Sequence, residues 1–193
     1  TLFTNEASGS QMFSITNDGG TDLDYSIEVE YIDNDSTDVG EVITSYSSIA
    51  NYNRGMVWVD DSLYVIASST PYLYKYHLSG TSLIQDASYY IGSYGSVHGI
   101  TYDGTYLWIG DTNDSRIRAY TLSGEYTGQY FSSPVADENA LAFDGEHFIV
   151  NDWDESSNPI FYKVDYSGNT IETFTYSGSS VDFRESVWID GYL

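Results

Sequence analysis

MVWVDDSLYVI (residues 56–66), ITYDGTYLWIG (100–110), LAFDGEHFIVN (141–151) and VWIDGYL (187–193) superimpose on an aspartate that follows a short apolar run. The anchors are Asp60, Asp103, Asp144 and Asp190, spaced 43, 41 and 46 residues apart. After the turn comes a second alternating run, such as Tyr106-Leu107-Trp108-Ile109, with the period of a half-buried strand. A third run follows at Tyr72–Leu78, Ile117–Leu122 and Phe161–Tyr166. These end in Ser79-Gly80, Ser123-Gly124 and Ser167-Gly168, and Ser-Gly marks a tight turn. A fourth run closes each unit at Ser82–Ile84, Tyr126–Phe131 and Ile171–Tyr176. No stretch carries a helical period. Four hairpin-linked strands recurring every 40–50 residues or so predict an all-β fold, a partial β-propeller of four-stranded blades. Residues 51–193 hold three such repeats and the start of a fourth.

Residues 1–50 read differently. Met12–Thr16 and Leu23–Tyr31 alternate with period two around Asn17-Asp18-Gly19-Gly20, which predicts a β-hairpin or partial sandwich. Asp33–Asp38 then reads as an acidic loop or linker, so the domain boundary is placed between residues 50 and 51. Three blades and a fraction do not close a ring, since closed propellers have about 4–8 blades. The expectation is either a fragment of a longer chain or completion of the exposed sheet edges by neighbouring copies, because unpaired edges invite association.

The 193 residues carry 29 acidic against 6 basic side chains, a net charge of −23. Arg54, Lys75, Arg116, Arg118, Lys163 and Arg184 are scattered, which excludes a basic face for nucleic acid. Anionic membrane surfaces are disfavoured on the same ground, and no run of 18 apolar residues spans a bilayer. Aromatics make up 17% of the chain, enough for a packed core, so the composition is not that of a disordered chain. With no cysteine, disulfides, thiol catalysis and cysteine-bound zinc are excluded. A Tyr-, Ser- and Thr-rich, lysine-poor acidic chain suits export to a cell surface, and high salt is a second reading of the same composition.

IGDTNDSRIRAY (109–120) resembles the core of an NHL-type propeller repeat, with its apolar pair, Asp-Thr, Asn, and Arg-Ile. The first and third repeats carry Ala67-Ser68-Ser69-Thr70-Pro71 and Asn151-Asp152-Trp153-Asp154-Glu155 there and lack the arginine. The resemblance implies a propeller of the NHL or YVTN kind, with Asp111 and Arg116 paired across the loop as a fold-stabilising contact. FSITNDGGTDLDYSI (13–27) looks like a hairpin of BACON-like and related immunoglobulin-like modules of secreted proteins.

Asp111-x-Asn113-x-Ser115 and Asp152-x-Asp154-x-Ser156 place alternating oxygens in equivalent loops, the ligand type a calcium ion takes. The same residues also cap turns by bonding their own backbone, and neither loop completes an EF-hand. Trp58 and Trp188 hold equivalent places in their first strands; with Tyr102 they are candidate platforms for a sugar, or blade packing. His77, His98 and His147 do not superimpose, which argues against a symmetric metal site; His98 lies nearest a central channel. The carboxylate pairs Asp137-Glu138 and Asp152/Asp154 are what chance supplies among 29 acids. Asn34 and Asn113 open N-glycosylation sequons, relevant to an exported chain. No nucleophile elbow, zincin, P-loop or dinucleotide motif is present.

These features predict a non-catalytic extracellular or cell-surface structural or adhesive protein, a subunit of a filament or larger assembly. Its partners would be copies of itself, other surface proteins or glycans, with calcium as the one candidate cofactor. The alternatives are a carbohydrate- or peptide-binding propeller module and a fragment of a propeller lyase or hydrolase.

Overall fold

The computed structural model describes residues 45–46, 53–67, 70–92, 97–136, 138–152, 160–175, 186–189 and 191–193. The chain divides between Ile43 and Thr44, and all the described residues belong to the second unit. The hairpin expected over residues 12–31, the linker after it and Asn34 lie outside them.

Twelve strands form three antiparallel sheets, each a meander in chain order. The first holds β1 (Asn53–Val59), β2 (Ser62–Ala67), β3 (Tyr72–Ser79) and β4 (Ser82–Tyr90). The second holds β5 (Val97–Tyr102), β6 (Leu107–Asp111), β7 (Arg116–Tyr120) and β8 (Tyr126–Ser132). The third holds β9 (Glu138–Phe143), β10 (Phe148–Asp152), β11 (Ile160–Val164) and β12 (Thr170–Thr175). The sheets stack through their first strands, β1 against β5 and β5 against β9.

Alternation decides which face each strand presents. Val59, Tyr64, Ile66 and Leu73 of the first sheet meet Val97, Ile100, Leu107 and Ile109 of the second. The opposite face of the second sheet gives Trp108, Ile117, Ala119 and Phe131 to Leu141, Phe148 and Val150 of the third. Trp108, Phe131 and Phe148 form the aromatic centre of that seam, with ring centroids 4.9–5.5 Å apart. Full burial of such side chains contributes on the order of 1.5–3 kcal/mol each. Gly99 (φ +61°) lets β5 approach β9, because a Cβ there would lie 2.9 Å from that of Leu141.

The first hairpins come in two forms that the aspartate alignment conceals. In the second and third sheets a four-residue loop separates Tyr102 from its partner Leu107 and Phe143 from Phe148. Asp103 Oδ1 accepts the Thr105 and Tyr106 N–H groups at 2.8 and 2.7 Å, and Asp144 Oδ1 those of Glu146 and His147 at 2.9 and 2.7 Å. The first sheet instead turns on Asp60-Asp61, with Val59 opposite Ser62 and Asp60 at φ +51°. Ile189 faces Tyr192 in the same tight spacing, through backbone hydrogen bonds of 2.8 and 2.9 Å. Ala142, two before its anchor, faces away from the second sheet, whereas Trp188, two before Asp190, packs onto the third.

Candidate functional site

The loop joining β6 to β7 carries one proposed calcium site, and the Asp111 and Ser115 oxygens in it are already engaged. Asp111 ends β6, buried to 2% exposure, and its Oδ1 accepts the Asn113 N–H at 3.1 Å. Its Oδ2 takes Arg118 Nη1 at 2.5 Å, and Arg118 Nη2 donates to Asp114 Oδ2. Ser115, at φ +51°, turns its hydroxyl to the Ala136 carbonyl at 3.0 Å. The positive charge between these carboxylates is therefore a guanidinium. Burial pushes the Asp111 carboxyl above its ordinary range, against the Asn113 N–H and Arg118.

The pairing of Asp111 with Arg116 is corrected here. The two stand opposite each other in the ladder, yet Arg116 turns outward, 3.3 Å from Asp114 and 4.4 Å over the Tyr130 ring. Arg118, two residues on and buried, reaches the buried carboxylate instead. Asn113 is exposed at the tip of this loop. Asp154 and Ser156 lie outside the described residues; Asp152 ends β10. Among the described residues no three His, Asp or Glu side chains gather as a metal-holding group.

The anchor aspartates prove to be hubs between elements. Asp103 Oδ2 accepts Trp108 Nε1 at 2.7 Å and the Tyr166 hydroxyl of the third sheet at 3.2 Å. Desolvation, with the Asp103 charge beside it, pushes the Tyr166 phenol up to about 12. Asp144 Oδ2 holds Lys163 Nζ at 2.7 Å. Desolvation alone would raise Asp144, but Lys163 and the two loop N–H groups bring it below the usual carboxylate range.

The candidate platform residues do not share a surface. Tyr102 is packed against the seam between the first two sheets. Trp188 lies against Ala142, Ile149 and Phe161, on the far face of the third sheet. Trp58 is 49% exposed on the face of the first sheet that points away from the second. His98 is buried at the start of β5, His77 in β3 pairs with Asp86 at 2.7 Å, and His147 sits in the loop just before β10 rather than in the strand.

Around Trp58 the sheet builds a surface that no single motif announced. Register sets Trp58 beside Leu63 and Tyr76, and Met56 beside Val65, Tyr74 and Ser88. Tyr72 meets Tyr90 edge-on at 5.6 Å, and Tyr74 stacks near Tyr76 at 6.4 Å. These rows carry no charged side chain. The signal in the sequence was the period-two Tyr72-x-Tyr74-x-Tyr76, legible once its face is known. Beside it, Tyr90, Ile91, Gly92, Tyr120, Gly124 and Tyr126 line a cleft of about 250 Å³ between the outer strands of two sheets.

No protein-family model matches the chain. No curated protein matches it. Solved structures do: a glutaminyl cyclase from Myxococcus xanthus superimposes with a TM-score of 0.53 at 16% identity, over 63% of this chain and 51% of that one. A chain of a nidogen/laminin complex does so at 0.50 and 19%, over 66% and 50%. The WD40 β-propeller domain of Doa1 gives 0.49 and 16%, over 70% and 44%. The described sheets are propeller blades. At these identities the likeness is one of fold, and this chain spans about half the length of the first two solved chains. Propeller blades place first strands at the hub and outer strands at the rim, which is how β1, β5 and β9 come together here.

Proposed function

We propose that the chain is a non-catalytic structural or adhesive module of the extracellular or cell surface, whose blades are of the NHL or YVTN kind. It works through its exposed apolar and aromatic side chains. The observation that carries this reading is large apolar side chains left in solvent. Met56 and Trp58 stand out on the first sheet, and Val187 and Ile189 beyond the third. Contiguous exposed apolar surface marks interaction sites in soluble proteins. β12 adds an edge strand exposed along its length. The likeness to a chain from a nidogen/laminin complex, a protein–protein assembly, supports the same direction. The −23 charge and Tyr-rich surface suit an exported protein.

Antibody labelling of intact cells tests the location: labelling before lysis is expected, and labelling only after lysis overturns it. An enzymatic reading is favoured by one observation, the glutaminyl cyclase neighbour. Incubating the chain with a peptide bearing an N-terminal glutamine is expected to leave the amine intact, and ring closure with ammonia release overturns the non-catalytic reading. Glycan binding is a further role of the exposed aromatics; an array signal lost in Trp58→Ala supports it.

A further inference from the structure

We propose that Tyr72 and Tyr90 are the site of an oxidative cross-link, a carbon–carbon bond between two phenol rings that staples β3 to β4. The two residues stand directly opposite each other in the ladder, and their rings meet edge-on with centroids 5.6 Å apart. Register holds such cross-strand neighbours together. The contact lies within one sheet, so it needs no segment beyond the two strands that carry it. Both rings also reach solvent, at 38% and 57% exposure, where an oxidant meets them.

The other tyrosine pairs in ring contact among the described residues each lack one of these conditions. Tyr120 and Tyr126 are equally close, but Tyr120 is buried and its hydroxyl donates to the Ile91 carbonyl. Tyr74 and Tyr76 stand 6.4 Å apart along one strand, and Tyr76 is buried. Tyr72 and Tyr74, 6.3 Å apart, also share a strand, and the Tyr74 hydroxyl is bound to that of Thr70 at 3.1 Å. A bond within one strand ties nothing together, whereas one from 72 to 90 closes the whole β3–β4 hairpin. Composition points the same way. With no cysteine and 20 tyrosines, the chain has no disulfide to form, and phenol coupling is an oxidative cross-link open to it.

The oxidant is hydrogen peroxide acting through a haem peroxidase. Each phenol gives up one electron and its hydroxyl proton, leaving two phenoxyl radicals. Exposed side chains reorient in picoseconds to nanoseconds, which brings the carbons ortho to the two oxygens together. Those carbons form the new bond, and the hydrogen on each returns as a proton to its own ring oxygen. The chain has then lost two hydrogens, and the peroxide that took them leaves as two waters.

This inference goes beyond the surface-module reading, which bears only on where the chain meets an oxidant. Treating the purified chain with a peroxidase and hydrogen peroxide at low micromolar concentration tests the pair apart from the location. The expected product is a single chain with blue dityrosine fluorescence, a mass lower by two hydrogens, and proteolytic fragments joined through Tyr72 and Tyr90. Tyr72→Phe and Tyr90→Phe keep the ring packing and are each expected to abolish that product, while Tyr126→Phe leaves it unchanged. The linked chain is expected to melt at a higher temperature than the unlinked one, since a cross-link restricts the unfolded chain. Products joined only between chains, fragments joined through other tyrosines, or undiminished fluorescence in Tyr72→Phe overturn the site. A linked chain that melts no higher overturns its role as a staple.

Discussion

Residues 57–63 and 187–193 are near copies placed in opposite surroundings, and the difference shows what a blade needs from its neighbours. Val59 pairs with Ser62 as Ile189 pairs with Tyr192, and each hairpin carries one tryptophan just before that pair. Trp188 has that sheet, in Ala142, Ile149 and Phe161, and is partly buried by it. Trp58 has no such sheet among the described residues and is half exposed. The hairpin is therefore specified locally, by its turn and its alternation, while the burial of its tryptophan is supplied from outside.

The Ser-Gly turns extend the same contrast and give the largest expected effect. Gly124 (φ +76°) sits where a Cβ would meet Tyr89 Cβ at 2.2 Å, while Gly80 (φ +59°) has nothing within 4 Å. Gly124→Ala adds a clash across the seam to the cost of the left-handed backbone, and a loss of about 2–4 kcal/mol is expected in urea unfolding. Gly80→Ala bears only the backbone cost, about 1 kcal/mol. Equal losses would break the comparison.

For the tryptophans, Trp188→Ala is expected to cost about 1–2 kcal/mol in the single chain and Trp58→Ala less than about 0.5 kcal/mol. Chemical denaturation at micromolar concentration reads both. A larger loss at Trp58 would mean that its face is already covered within one chain.

A smaller effect sharpens the link between the second and third sheets. The phenol of Tyr166 is raised to about 12, so between its unfolded value near 10 and that pH the folded state holds a proton that the unfolded state has released. Stability from this source is full below pH 10 and falls as pH rises through the window. Tyr166→Phe should show a flatter decline in melting temperature across it. Asp144 works in the opposite direction: its lowered pKa gives stability present above about pH 4 and lost as pH falls further. The smallest effect concerns calcium. Arg118 and Arg116 already pair with Asp111 and Asp114, so Asp111→Asn should leave any difference in melting temperature between millimolar calcium and EDTA unchanged. A calcium-dependent rise abolished by that substitution would place an ion in the loop.

Much of the blade plan was legible. The spacing of Asp60, Asp103 and Asp144, the alternating runs and the Ser-Gly turns locate all three sheets. What escaped were matters of phase and reach. Aligning on aspartate hides whether two or four residues separate the paired strands, and it hides that the aligned Val59 and Tyr102 face opposite neighbours. Adjacency in the ladder pointed to Arg116 as the partner of Asp111, but a long side chain two residues further on, buried and running back along its strand, took the place. The face around Trp58 became visible only when register put Met56, Tyr72, Tyr74 and Tyr76 on one side.

The central claim is that neighbouring sheets, not the hairpins themselves, bury these tryptophans, and oxidative footprinting of the tryptophans tests it most directly. Trp58, half exposed, is predicted to oxidise faster than Trp188, which the third sheet covers. Oxidation of Trp188 as fast as that of Trp58 would contradict the account.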